Sequence, residues 1–387
     1  MSATVRLPRA DGSWEQRRLA DPARWQRPAE PLTARIAFAA AHVVADPLGD
    51  NVPGAPAVVD WESTLAFRRH LWSYGLGVAE AMDTAQRGMG LDWAATRQLI
   101  DRSAAAAREV GGRIAAGAGT DHAPADLTSL DDVTAAYEEQ IEIVEASGAQ
   151  VILMASRQLA RLARGPEDYA KVYERLLGQV SRPVILHWLG PMFDPALHGY
   201  WGSAEVPAAT AAFLDVIGRH AGKVDGVKVS LLDAEHERTL RSALPAGVRL
   251  YTGDDFNYPE LIRGDGTHHS DALLGVFAAI APAASAALQA LGRGDLASYD
   301  AAFAPTLPLA RHMFAAPTWY YKTGVAFLAW LCGHQPGFTM VGGLQSARGV
   351  VHLAELARLA DDARLLPDPD LAAARLRAFL DVAGVPR

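Results

Sequence analysis

The sequence predicts an α/β protein, a (β/α)8 TIM barrel followed by a C-terminal helical extension. Three observations carry that expectation. Short apolar runs alternate with amphipathic helical stretches through most of the 387 residues. The alternation repeats eight times, the count that closes a barrel of parallel strands joined by right-handed crossovers. Beyond about residue 293 the strand pattern stops and helical periodicity alone continues.

Residues 1–33 are polar, arginine-rich and broken by Pro28 and Pro31, so they read as a lead-in or a short hairpin outside the core. The barrel is expected over 34–292. Its strands are placed at 35–43, 77–82, 113–118, 149–155, 183–189, 224–230, 248–253 and 271–277. Helices are expected near 61–74, 93–110, 130–147, 167–180, 207–221, 234–243, 257–263 and 283–292. The extension, 293–387, reads as helices at 295–315, 318–332, 346–362 and 369–384, punctuated by Pro305, Pro308 and Pro336. Its stretch from Trp319-Tyr320-Tyr321-Lys322 to Trp330-Leu331 is strongly apolar. It is expected to pack on the barrel or on another subunit, and its aromatics read as core before ligand contacts.

Composition removes several function classes. No apolar run reaches the roughly 18 residues of a membrane span, and the start lacks a basic-then-apolar leader, so a cytoplasmic enzyme is expected. A net charge of -8, a pI near 5.8 and the lack of a basic cluster argue against nucleic-acid binding. The single cysteine, Cys332, excludes an internal disulfide and a multi-cysteine zinc site.

Of 36 basic residues only four are lysines: Lys171, Lys223, Lys228 and Lys322. Lys228 ends the apolar run Val224-Asp225-Gly226-Val227-Lys228-Val229-Ser230, which reads as a buried strand. An ammonium placed there loses hydration, its pKa falls, and the neutral amine becomes able to attack a carbonyl, as a Schiff-base lysine must. The alternative is a lysine closing a buried ion pair with Asp254 or Asp255. Active sites of such barrels lie at the carboxyl ends of the strands. Those ends bring Glu80, Asp83 and Thr84, then Thr120-Asp121-His122, Ser156-Arg157, His187, Ser230 and Gly253-Asp254-Asp255, with His268 and His269 preceding strand 8. Structural readings stand beside each. Asp83 or Thr84 can cap the next helix, Asp121 and Asp131 read as caps, and one of Asp254 and Asp255 can cap the helix at 257. His268 and His269 suit a solvated loop, and His187 a satisfied core histidine.

From about 58 to 290 the chain resembles the N-acetylneuraminate lyase and dihydrodipicolinate synthase superfamily of class I aldolases. Val227-Lys228-Val229-Ser230 looks like that family's strand-6 segment with the Schiff-base lysine. Tyr251-Thr252-Gly253-Asp254-Asp255 looks like its glycine–aspartate turn, and Leu274-Gly275-Val276-Phe277 through Pro282 is similar to its strand-8 stretch. Pro183-Val184-Ile185-Leu186-His187 follows the strand-5 pattern up to its last residue. The whole chain resembles an actinobacterial branch described only as dihydrodipicolinate synthase-like. There are departures. His187 stands in place of the family's proton-relaying tyrosine, and histidine also relays protons near pH 7. Asp83-Thr84-Ala85-Gln86-Arg87 stands where a Gly-Thr-Thr-Gly-Glu motif holds a pyruvate carboxylate. Asp83 would repel that carboxylate unless Arg87 offsets it. Ser156-Arg157-Gln158 replaces a proline–tyrosine pair.

The leading expectation is a Schiff-base-forming lyase or aldolase acting on a small-molecule carbonyl substrate that is sugar-like or hydroxylated, with no cofactor. Lys228 and His187 are its candidate catalytic residues. Glu80, Asp83, Thr84, Ser230, Gly253, Asp254 and Asp255 are its candidate substrate-binding residues. A second reading is a divalent-metal sugar isomerase or hydrolase with Glu80, Asp83, His187, Asp254 and His269 as donors. A third is an inactive ligand-binding barrel. The resemblance implies a homo-oligomer, a dimer or tetramer, to which segment 318–332 would contribute.

Overall fold

The computed structural model describes residues 3–385, so the first two residues of the expected lead-in lie outside the described residues. An antiparallel hairpin, β1 (Thr4–Pro8) and β2 (Trp14–Arg18), comes first. The barrel strands are β3 (Ala37–Ala40), β4 (Gly77–Glu80), β5 (Ile114–Ala118), β6 (Gln150–Leu153), β7 (Val184–Leu189), β8 (Val224–Ser230), β9 (Arg249–Thr252) and β10 (Asp271–Leu274). Each pairs in parallel with the next, and β10 pairs with β3 to close the ring. All eight expected strands are present. The expected strand 271–277 stops at Leu274, because the backbone turns at Gly275 and Val276 into a helix.

Around the barrel run α1 (Trp61–Ser73), α2 (Trp93–Val110), α3 (Leu130–Ser147), α4 (Arg157–Leu162), α5 (Pro166–Gln179), α6 (Val206–Arg219), α7 (Ala234–Ala243), α8 (Tyr258–Arg263) and α9 (Phe277–Gly292). Local chemistry sets many of their ends. Asp60, Asp92 and Ser129 accept the free N–H groups of the first turns of α1, α2 and α3. Two departures from the expected helices have local causes. Six-residue α4 lies in a stretch without a long apolar period and starts because Ser156 Oγ caps the Leu159 N–H at 3.0 Å. Helix α9 begins six residues early and runs through Pro282, which deflects it at Ile280.

The extension holds α10 (Leu296–Phe303), α11 (Thr306–Met313), α12 (Tyr321–Leu331), α13 (Val350–Asp362) and α14 (Pro369–Val382). The single helix expected at 295–315 is two, because Pro305 has no N–H to donate at the junction. Helix α12 is almost wholly buried against α9, α13 and α14, so the apolar stretch packs within this chain. Hairpin residues Val5 and Leu7 are buried as well, and β1 lies on α13 and α14. Arg17 of β2 pairs with Asp361 of α13 at 2.6 Å. No helix among the described residues is long and apolar enough to cross a membrane.

Inside the barrel, Phe38, Ala79, Met82, Ala115, Ile152, Ile185, Tyr251 and Leu273 form an apolar plug. Small residues on β4 and β5 leave the space that Phe38 fills: a Cβ on Gly77 would lie 2.6 Å from its ring. Polar groups are thereby confined to the two ends of the barrel. Phe38→Ala should empty the plug and cost about 3–5 kcal/mol, read as a lowered urea midpoint at unchanged slope.

Candidate active site at the barrel mouth

Lys228 sits on β8 with His187 as its register partner on β7, so both side chains leave the sheet on the same side. Lys228 is 5% exposed. Among the described residues its Nζ makes no hydrogen bond, and neither Asp254 nor Asp255 closes an ion pair with it. Burial lowers its pKa, while the more distant charges of Asp83 and Asp255 work against that fall. Space for the lysine comes from Gly253, where a Cβ would stand 3.1 Å from Lys228 Cε and 2.2 Å from Ser230 Oγ. Ser230 Oγ also lies 3.4 Å from His187 Nε2. His187 Nδ1 is buried without a partner among the described residues. Burial, then the Lys228 charge, drives the His187 pKa well down, so the ring is neutral at pH 7.

Asp83 is the counter-charge of the site. It follows β4 in a 3-10 turn, Asp83–Ala85. Its Oδ2 accepts a hydrogen bond from the Tyr321 hydroxyl at 3.0 Å, while its Oδ1 is buried with no partner among the described residues. Burial opposes its ionisation, but the Lys228 and Lys322 charges, with the Tyr321 hydrogen bond, outweigh burial and hold the carboxyl below its usual range. Thr84 Oγ1 lies 2.6 Å from the Tyr321 oxygen. One hydroxyl thus ties Asp83 to Thr84: Tyr321 donates to the carboxylate and accepts from the threonine.

Tyr321 and Lys322 open α12 and were read in the sequence as part of an apolar packing segment. The structure brings both into the mouth, 237 residues beyond Thr84 in the chain. Tyr321 stacks on Phe314 with centroids 4.3 Å apart. It can approach because Gly275 is bare, since a Cβ there would lie 2.8 Å from its ring. Lys322 is 1% exposed, and its Nζ meets the Met89 thioether sulfur at 3.3 Å and lies 5.3 Å from the centroid of the Tyr321 ring. Burial pushes its pKa down to about 8 despite the Asp83 charge. A signal existed in the sequence: one of four lysines stands inside an otherwise apolar helix.

A cavity of about 700 Å3 adjoins this group at Asp83 and Lys322, with Arg87, Thr120, Arg157 and Phe193 also on its wall, while Lys228 and His187 lie deeper, behind its lining. Arg87 does not offset Asp83. Its guanidinium forks onto Asp121 at 2.6 and 2.9 Å and onto the Gly117 carbonyl at 2.6 Å. Asp121 is therefore an ion-pair partner and not a cap.

Glu80, Asp254 and His269 are placed elsewhere, and Asp255 is partly committed. Glu80 is fully buried in a two-pronged pair with Arg68, both contacts 2.8 Å, and also accepts the Ala81 N–H. Both its oxygens are committed, which withdraws it from any substrate. Asp254 turns back on its own chain, accepting the Phe256 and Asn257 N–H groups and the Asn257 amide. Asp255 stays beside Lys228 electrostatically but holds the Val276 N–H at 2.9 Å, and burial raises its pKa. His269 precedes β10 and so lies at the amino end of the barrel, the face opposite the mouth. The five donors of the metal reading therefore do not converge, and among the described residues no group of three His, Cys, Asp or Glu could hold a metal ion.

A family model described as "Protein of unknown function (DUF993)" matches residues 5–385. No curated protein matches the sequence. Among solved structures, a prophage protein of the dihydrodipicolinic acid synthase family from E. coli, in complex with pyruvate, is similar at 14% identity and a TM-score of 0.67, over 86% of this chain and 99% of that one. Dihydrodipicolinate synthase from Oceanobacillus iheyensis gives 13% and 0.62, over 84% and 96%. The enzyme from Aquifex aeolicus gives 11% and 0.60, over 91% and 99%. At these identities the likeness is one of fold.

Removing Glu80 alone leaves the Arg68 charge buried and unpaired. Glu80→Ala should cost about 3–5 kcal/mol in urea unfolding, whereas Glu80→Leu with Arg68→Met should recover most of the loss.

Proposed function

The chain belongs to the DUF993 family of proteins of unknown function, and we propose that it is a Schiff-base-forming lyase of the class I aldolase type, acting on a hydroxylated keto or aldehyde compound. The observation that carries this reading is the state of Lys228: a buried amine, free of hydrogen bonds among the described residues, with its pKa lowered by burial. A lysine kept for stability alone would close an ion pair, and this one does not.

In this reading the neutral Lys228 amine attacks the carbonyl carbon, and the carbinolamine loses water to give an iminium ion. The bond next to the former carbonyl then breaks, its electron pair moves into the iminium, and an enamine remains to be protonated. The same electron sink serves dehydration. Neutral His187, with one ring nitrogen free, carries protons between Lys228 and substrate. Tyr321 extends that role toward Asp83 and Thr84.

Substrate preference follows from the acceptors and donors left over. Asp83 Oδ1 accepts a substrate hydroxyl, and Lys322 donates to a substrate oxygen from the cavity wall. Pyruvate is the ligand of the E. coli relative. The Asp83 charge beside Lys228 disfavours a carboxylate at that position, which supports a hydroxyl-bearing substrate in its place.

Borohydride reduction in the presence of pyruvate and several keto-sugars, followed by peptide mass mapping, tests the reading. An adduct on Lys228 that is lost in Lys228→Ala is expected. No adduct, or one on Lys322 alone, overturns the assignment. The trapping rate should rise with pH through an inflection below that of free lysine, because the neutral amine is the nucleophile. Asp83 stabilises the ammonium, so Asp83→Asn should move that inflection to lower pH.

A further inference from the structure

Away from the mouth, a cavity of about 290 Å3 lies between the lead-in segment, the end of α1, the kinked start of α9 and the end of α12. Ala278, Ala279 and Pro282 of α9 and Leu328 and Ala329 of α12 make its apolar wall. The residues with polar side chains along it are Trp25, His70, Tyr74, Cys332 and His334, with the exposed Arg24 and Arg364 at the rim. Among the described residues, no aspartate or glutamate lines it.

Much of this polar surface is unused. The Trp25 Nε1–H is buried with no acceptor among the described residues. His70 and His334, with ring centroids 4.2 Å apart, make no side-chain hydrogen bond among the described residues. Burial holds both rings neutral, at about 3 and about 4. Arg364 commits its Nε to the Asp21 carbonyl at 2.9 Å, which leaves the rest of its fork free, and Arg24 is exposed and unpaired among the described residues. A third guanidinium, Arg27, lies over the Tyr74 ring.

We propose that this cavity is a second binding site, for a small aromatic monocarboxylate. A single ring fits a cavity of this size, whose wall includes the aromatic side chains of Trp25, Tyr74, His70 and His334. Its carboxylate meets positive charge at the rim, where the guanidinium groups of Arg24 and Arg364 stand. A cation would find no carboxylate on the wall, and a sugar would leave most of its hydroxyls against alanine, leucine and proline. Helix α12 connects the two sites, with Tyr321 and Lys322 at the mouth and Leu328 and Ala329 at the cavity.

Benzoate is the probe, because it offers no ketone or aldehyde to Lys228. Calorimetric titration of the full chain should show saturable binding, with benzamide weaker. Arg24→Gln with Arg364→Gln, both at exposed positions, should weaken benzoate about tenfold or more, and Lys322→Ala should leave it unchanged. Cys332 is the chain's single cysteine, so its alkylation by iodoacetamide reports on this cavity alone. Benzoate at about ten times its Kd should slow that labelling about tenfold. No binding up to about 10 mM overturns the proposal. So does binding that survives the double arginine variant and leaves Cys332 labelling unchanged.

Discussion

Two ammonium groups, Lys228 and Lys322, are buried within electrostatic reach of one carboxylate, Asp83, and the mouth of the barrel is arranged around that shortage of negative charge. Taking an ammonium out of water is expensive unless it is paired and hydrogen-bonded. Among the described residues Asp83 makes no direct ion pair with either lysine, and burial leaves both lysines with depressed pKa values. Neighbouring side chains respond to the same field. His187 is kept neutral beside Lys228, and Tyr321 gives its only proton to Asp83. The contrast with Glu80 and Arg68 is instructive. There a fully buried pair closes with matched forks, satisfies both partners and leaves nothing for chemistry.

The site depends on backbone positions with no side chain as much as on charged groups. Gly253 admits the Lys228 stem and the Ser230 hydroxyl, and Gly275 admits the Tyr321 ring. In both places a methyl group would collide with the residue that gives the mouth its character. The C-terminal helices act in the same way at a larger scale. By packing α12 between α9, α13 and α14, the fold delivers a tyrosine and a lysine to a barrel that would otherwise be open on that side.

Strand direction separates the histidines and carboxylates that resemble one another on paper. His187 leaves the carboxyl half of its strand and joins the mouth, while His269 precedes its strand and lies at the other end. Asp254 and Asp255 are adjacent in sequence, yet one folds back onto its own turn and the other reaches toward β10 and Lys228. A donor set assembled from residue types alone therefore does not survive the folded geometry.

By itself the sequence determined the barrel, its eight strands and the place of Lys228, because these follow from local periodicity and from a charge at the end of an apolar run. It also determined the helical extension, though not its break at Pro305 or the short helix after Ser156, where a few residues of capping chemistry decide. Only the tertiary structure decided which charges meet. Arg68 takes Glu80, Asp121 takes Arg87, and Tyr321 reaches Asp83 across more than half the chain. The physical reason is range. Hydrophobic period acts within one element and is written in adjacent residues, whereas a charge pair depends on distances that exist only after the helices have packed.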